Sequence, residues 1–284
     1  MVSSAALVTC RRYPRLTPDD RLLIAPLKKL GISARPVIWD AININWKQFD
    51  IVILRSAWDY HLRLEEFLVW LNLLIKQEVN LWNPPSVIKW NIDKKYLFEL
   101  EKKGIPVIPV ILYRSQQLIR VMEEHNWQEI VIKPAVGASS HLVFRINKKI
   151  AEKFQSRLSA LARTNQFLLT PFISEIARGE YSFVYINSLL SHCLLKKPAL
   201  GEFISNFSFV PSRRLITPAP DLLNQAGQIY KKLNISPLYA RLDLVNIKGK
   251  LKVMEIELIE PELFFKFNPE SASLFAAAID KLIR

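Results

Sequence analysis

The chain has almost no cysteine. Its two, Cys10 and Cys193, lie far apart and outside any C-x-x-C pair, which excludes a disulfide-stapled scaffold or a thiolate zinc site and makes a reduced, cytoplasmic setting the expectation. Glycine is scarce too, at 7 residues in 284, while half the residues are hydrophobic; this is the composition of a packed globular protein and not of a disordered one. No apolar run is long enough to span a bilayer: the best, residues 67–75, stops at Lys76 and is interrupted by Asn72. The N-terminal apolar stretch precedes Cys10-Arg11-Arg12, the reverse of the charge-first order of a secretory signal, so no membrane association is expected. His61, His125, His141 and His192 are scattered without metal-ligand spacing. Finger, RRM and KH signatures are absent.

What is abundant is positive charge. Lys and Arg number 39 against 26 Asp and Glu, a net of +13, which favours anionic partners. The basic residues are spread along the chain rather than gathered in a tail, so a small anionic ligand is favoured over nucleic acid.

The first ninety residues alternate strand and helix patterns. Residues 5–9, 34–39 and 49–54 read as strands; residues 18–27 read as a helix with Thr17 as N-cap and Gly31 beyond its end, and residues 65–76 as an amphipathic helix. That order predicts a parallel α/β layer, in which ligands bind beyond the carboxyl ends of the strands. Arg55, Trp58, Asp59 and Tyr60 stand there and form a candidate site for a small charged substrate, with a plain helix-capping loop as the alternative. After a break at Asn83-Pro84-Pro85, residues 91–103 read as a helix carrying Lys94 and closed by Gly104. Residues 107–112 read as strand and 116–124 as helix. Residues 129–134 read as a strand that delivers Lys133 into a loop of small residues, including Gly137 and Ser139. Backbone N–H groups and an ammonium together can cradle phosphate there, although such a loop alone is also an ordinary connection. Residues 181–186 and 189–195 read as a hairpin, 199–220 as a long loop, 221–233 as a helix and 272–283 as a closing helix.

The most informative stretch is residues 239–261, two strands about Lys248-Gly249-Lys250. Alternation puts Glu255 and Glu257 on one face and Met254, Ile256 and Leu258 on the other; Arg241 and Asp243 share a face of the first strand. A connecting loop of three or five residues would bring Asp243 to the face of Glu255, and a two-residue loop would separate them. Converging carboxylates call for positive charge among them, and oxygen ligands on a rigid sheet suit Mg²⁺. Surface acids on a solvated strand are the bland alternative.

In combination, the helix with Lys94, the strand ending in Lys133-Pro134, the small-residue loop, the apolar segment 169–173, Gly179-Glu180 and Asp243 with Glu255-x-Glu257 resemble the ATP-grasp superfamily, near the glutathione synthetase and RimK-like branch. Residues 54–61, 90–97, 239–243 and 254–264 look more narrowly like the subfamily that includes the ATP-grasp enzyme of D-cycloserine biosynthesis. The resemblance spans nearly the whole chain. It implies an α/β (α+β ATP-grasp) fold: an N-terminal domain over residues 1–90, then a two-lobed grasp unit over 91–284, with a small lid lobe at about 105–168 and a C-terminal lobe at about 169–284.

By the same resemblance Lys94 and Lys133, with the loop through Gly137 and Ser139, would contact ATP phosphates; Pro171, Phe172 and Ile173 would hold adenine; Glu180 would bond the ribose. Asp243, Glu255 and Glu257 would hold Mg²⁺, while Arg241 and Lys196 would serve the transferred phosphate or the substrate carboxylate. The implied activity is an ATP- and Mg²⁺-dependent carboxylate–amine ligase acting through an acyl phosphate on a small amino-acid-like substrate. Its partners would be small-molecule carboxylates and amines, and a homodimer is one state that the superfamily commonly adopts. Two positions depart from the pattern: Ile204 stands where an arginine is expected, and Thr170 replaces a frequent Gln. An isoleucine supplies no cation to phosphate, so a degenerate nucleotide-binding or interaction module with little turnover is the alternative.

Overall fold

The computed structural model describes residues 2–199 and 212–284. Among these residues the strands form three sheets, each built from consecutive segments of the chain. The first contains β1 (Ser3–Thr9), β2 (Ile32–Ile38), β3 (Ile51–Ser56) and β4 (Leu81–Trp82), all parallel in the order β2-β1-β3-β4. The second is antiparallel, with β5 (Ile111–Leu112), β6 (Glu129–Pro134), β7 (Phe144–Asn147) and β8 (Phe167–Pro171) in the order β5-β8-β6-β7. The third is antiparallel, with β9 (Glu180–Ile186), β10 (Leu189–Lys197), β11 (Ser212–Ile216), β12 (Tyr239–Ile247) and β13 (Lys250–Glu257) in the order β11-β10-β9-β12-β13.

Eight α-helices cover these sheets among the described residues: α1 (Ile24–Lys29), α2 (Leu64–Lys76), α3 (Pro85–Asn91), α4 (Tyr96–Lys102), α5 (Leu118–Glu124), α6 (Lys148–Leu161), α7 (Pro220–Leu233) and α8 (Glu270–Ile283). Helix α2 packs Phe67, Leu71 and Leu74 under the parallel sheet. Helices α5 and α6 pack on the second sheet through Leu118, Met122 and Leu158. Strands β9 and β12 are buried on both faces. Val184 and Ile186 meet the first sheet and Phe275 of α8, whereas Phe183 and Tyr185 meet α7. A strand sandwiched this way reads as a continuous apolar run, which is what residues 181–186 display. No helix is long and apolar enough to cross a membrane among the described residues.

Several expected elements are shorter or broken, each for a local reason. Residues 18–27 split into a 3₁₀ turn at Asp20–Leu23 and α1, because Pro26 has no N–H to continue the ladder backwards. The helix expected at 91–103 is interrupted: α3 ends at Asn91, and the Asp93 carboxylate accepts the Lys95 N–H at 2.9 Å before α4 begins. Lys94 therefore sits in a turn and not on a helix face. The strand expected at 107–112 pairs regularly only at β5, with Val107 forming one bridge to Val253; Pro109, lacking a donor, lies between. The long loop expected at 199–220 contains the edge strand β11, whose Arg213-Arg214 gave it no apolar alternation.

One buried side chain joins the parallel layer to the third sheet. Asn83 has no exposed surface. Its amide donates to the carbonyls of Tyr239 and Leu258 at 2.8 and 2.7 Å, and its oxygen accepts from the N–H groups of Leu238 and Tyr239 at 2.7 and 3.3 Å. All of its hydrogen-bonding capacity is spent on the ends of β12 and β13. Asn83→Ala should therefore destabilise the fold by about 3 kcal/mol or more, since it strands several buried backbone groups at once. Urea unfolding checks this; a midpoint within error of the parent would show that water replaces the lost bonds.

Candidate active site

The hairpin of β12 and β13 turns through Lys248-Gly249, because Ile247 pairs with Lys250. A two-residue loop alone would separate Asp243 from Glu255. The register shifts by one residue between Asp243 and Leu244, so that Leu244 pairs with Val253 but Asp243 pairs with Glu255, with Met254 as the extra residue. This β-bulge reverses the inside–outside phase of β13. Before it the core-facing residues are Leu251 and Val253; after it they are Ile256 and Leu258. Glu255 and Glu257 thereby face the same cleft as Asp243.

Cations from three elements meet these acids. Arg241 Nη2 lies 2.9 Å from Asp243 Oδ2 and also bonds Glu257 Oε1. Lys196 of β10 bridges Glu180 Oε1 at 2.5 Å and Asp243 Oδ1 at 3.2 Å. Lys94 reaches Glu255 Oε1 at 3.1 Å and the carbonyl of Gly137 at 2.5 Å, and its own N–H donates to Ala135 O at 2.8 Å. Ser182 Oγ donates to Asp243 Oδ1. Burial alone would raise the Asp243 carboxyl, but Arg241 and Lys196 outweigh it and hold the group well below the usual carboxylate range. For Glu257, burial outweighs Arg241, with Asp243 and Glu255 adding repulsion, and the carboxyl is pushed up to about 7. Burial works against charge on Lys196, yet Asp243 and Glu180 hold its ammonium above its ordinary value.

Strand β6 alternates Ile130 and Ile132 into the core with Val131 and Lys133 toward a second cavity. There Lys133 Nζ lies 3.4 Å from Met254 O, the bulge carbonyl, and burial lowers its pKa despite the pull of Glu255. This second cavity, about 160 Å³, is walled by Thr170, Pro171, Phe172, Ile173 and Ile176. Arg145 lies 3.6 Å over the Phe172 ring. The first cavity, about 330 Å³, holds the ionic cluster. The two share Lys133, Ser140, Val143, Glu180, Asp243 and Glu255. Over this junction runs the loop 135–142. A Cβ at Gly137 would come within 2.7 Å of Pro134 Cγ, so any side chain there would force the proline ring to shift. Ser139 and Ser140 are held at positive φ, 52° and 58°, a left-handed conformation that non-glycine residues adopt at some cost.

Most of the sequence-predicted residues converge on the two cavities: Lys94, Lys133, Gly137, Ser139, Glu180, Lys196, Arg241, Asp243, Glu255, Glu257, Trp58 and Tyr60 on the first, Pro171, Phe172 and Ile173 on the second. Arg55 and Asp59 do not line either. Arg55 has no exposed surface; its guanidinium pairs with Asp20 at 2.8 Å, donates to Pro261 O at 2.8 Å and faces the Tyr239, Phe265 and Phe275 rings. A side chain so placed fastens strands together and cannot meet substrate. Asp59 accepts from Trp39 Nε1 at 2.8 Å and pairs with Arg63 at 3.3 Å. Ile204 lies outside the described residues. Arg213, one candidate to compensate for it, pairs with Glu262 at 2.8 Å on the cleft wall. Sequence reading missed Tyr13, Ser182 and Glu260. Ser182 carried a signal, since it shares a strand face with Glu180.

Among the described residues no group of three His, Cys, Asp or Glu stands ready to hold a metal alone. The donor set fits Mg²⁺ of another kind, an ion taking one or two carboxylates and completing its shell with phosphate oxygens and water.

Residues 5–83 match the family model for the N-terminal domain of D-cycloserine synthetase DcsG. The cycloserine biosynthesis protein DcsG of Streptomyces lavendulae is 27% identical over 298 residues, covering 98% of each chain. The crystal structure of D-cycloserine synthetase superposes with a TM-score of 0.85 at 25% identity, over 99% of this chain and 100% of that one. At lower identity the fold recurs in a RimK domain ATP-grasp protein from Sphaerobacter thermophilus (TM-score 0.73, 17% identity, 99% and 98% covered). It recurs also in D-alanine–D-alanine ligase from Bacillus anthracis complexed with ATP (TM-score 0.72, 15% identity, 100% and 97% covered). The fold is the ATP-grasp fold, and the chain is an ATP-dependent ligase.

Arg241 is central to the cluster. Arg241→Met should lower stability by about 3 kcal/mol, because it leaves the buried Asp243 and the half-buried Glu257 without their shared cation. Urea unfolding in metal-free buffer reads this; an unchanged midpoint would mean that the acids are solvated and not buried as a network.

Proposed function

We propose that this ATP-grasp ligase joins a small carboxylate to an amine through an acyl phosphate, using Mg·ATP. The observation that carries the reading is the junction of the two cavities at Lys133, Glu180, Asp243 and Glu255. An apolar slot opens there directly onto a charged chamber, as a nucleotide with a flat base and a polyanionic tail requires. In this reading residues 1–90 form the N-terminal domain, and 91–284 the grasp unit with its lid at about 105–168.

Each side chain then has a task set by its chemistry. Pro171, Phe172 and Ile173 cover the base, and Glu180 accepts from the ribose. Lys133 and Lys94 neutralise phosphate oxygens, with the loop through Gly137 and Ser139 closing over them. Asp243, Glu255 and Glu257 would hold Mg²⁺, which when bound offsets phosphate charge and aligns the oxygens for transfer. Arg241 and Lys196 orient the substrate carboxylate and stabilise charge developing on the transferred group. The carboxylate oxygen attacks the γ-phosphorus and releases ADP. The amine then attacks the acyl carbon, expels inorganic phosphate and gives up a proton. Positioning and charge suffice for both steps, and no protein nucleophile is needed.

The test is release of ADP and phosphate from Mg·ATP in the presence of amino acids. Turnover should stop with EDTA, and Glu255→Gln should weaken Mg²⁺-dependent nucleotide binding by about tenfold or more while leaving the fold intact. ATP-dependent thermal stabilisation without any turnover would favour the nucleotide-binding module instead. Absence of both would refute the reading.

A further inference from the structure

Six carboxylates line the larger cavity: Glu180, Asp243, Glu255, Glu257, Glu260 and Glu262. Five have a cationic partner at hand, namely Lys196, Arg241 or Lys94 as described above and Arg213 for Glu262. Glu260 has none. It is only 9% exposed, it lines the cavity, and its carboxylate makes no hydrogen bond or ion pair with any described residue. Burying an unpaired carboxylate is costly, and such groups are retained where something else supplies the counter-charge.

The surroundings of Glu260 are shaped for a cation. Its carbonyl accepts from Trp58 Nε1 at 2.9 Å, which fixes the indole beside it. Tyr13 meets Trp58 edge to face, with ring centroids 5.2 Å apart, both rings line the same cavity, and the Arg12 guanidinium already lies 5.5 Å from the centre of the Tyr13 ring. Aromatic faces beside a carboxylate attract an ammonium that has shed its water. We propose that Glu260 is the binding residue for the substrate's ammonium group, with the Trp58 indole beside it, so that the ligase selects substrates bearing a free amino group. This rests on the ligase reading and adds the group that it recognises. Consistently, burial and the neighbouring Glu257 push the Glu260 carboxyl up to about 8, and an arriving ammonium would draw it into the charged form.

The experiment uses the full chain with a panel of L- and D-amino acids, each paired with its N-acetyl counterpart. Binding is followed by thermal shift with Mg²⁺ and a non-hydrolysable ATP analogue, and turnover by ADP release. Amino acids that bind should lose binding on N-acetylation. Glu260→Gln, close to isosteric, should raise the KM and Kd for an active amino acid by about tenfold or more, with kcat and the KM for ATP within about threefold of the parent. Three results would overturn the proposal: N-acetyl compounds binding as well as free amino acids, no amino acid binding although the nucleotide analogue does, or Glu260→Gln lowering kcat alone. The last would mark a proton-transfer role. Because the acetylation comparison uses the parent protein, a variant that fails to fold leaves the test standing. Amino-group-dependent binding without ADP release would sink the ligase reading and keep Glu260.

Discussion

The architecture depends on one electrostatic constraint: acids clustered on a buried sheet face must be met by cations from elsewhere in the chain. Asp243, Glu255 and Glu257 come from adjacent strands; Asp243 is buried, and the other two are half-buried beside it. Arg241 is supplied from the same strand as Asp243, but Lys196 comes across the third sheet, and Lys94 from the turn between α3 and α4. Lys94 also holds the carbonyl of Gly137. The ion pairs thus fix the hairpin, the neighbouring strand and the loop 135–142 in one geometry. Positions that look independent in sequence are coupled, and a change at Glu255 is felt at the loop through Gly137 by way of Lys94.

The bulge at Met254 makes this convergence geometrically available. Loop length alone predicts the wrong face for a two-residue turn, and the three-or-five-residue alternative is not what the chain uses. The phase change was nevertheless legible. Leu251 and Val253 are apolar at odd positions and Ile256 and Leu258 at even ones, and a strand with one buried face can make that switch only through an inserted residue. The parallel layer, the hairpin at 187–188, Lys133 at the end of β6 and helix α7 were legible for similar reasons, since local periodicity and turn residues agree with the fold. The site's acids and lysines were legible mainly as a combination resembling a family, because each alone had an ordinary surface reading.

Long-range satisfaction was not legible. Arg55 follows an apolar strand at a position where α/β proteins bind ligands, and its residue type suits a charged substrate. Its role is decided by Asp20, Pro261 and three aromatic rings contributed by β12, residue 265 and α8. Asn83 beside two prolines reads as a break, yet its amide terminates two strands more than 150 positions away. Neither partner set leaves a mark near the residue itself. Edge strand β11 shows the same limit from the other side: with Arg213 paired to Glu262 and Arg214 and Leu215 both exposed, it has no apolar alternation to display.

Charge counting across the larger cavity narrows what the site takes. Its lining includes the six acids and six cations, Arg12, Lys94, Lys133, Lys196, Arg213 and Arg241, so the chain's net charge of +13 does not arise there. A formally neutral chamber attracts a polyanion through local separation of charge and not through a general field. Inside it, two groups, the half-buried Lys133 ammonium and the buried Glu260 carboxyl, lack an oppositely charged partner within ion-pair distance among the described residues. Lys133 reaches only the bulge carbonyl, and Glu260 reaches nothing among the described residues. The first stands where the apolar slot meets the ionic cluster, and the second beside the Trp58 and Tyr13 rings. A ligand pair that brings phosphate to one and an ammonium to the other removes both imbalances. A nucleotide alone removes one. On the proposed reading, nucleotide and amino substrate together would supply both counter-charges.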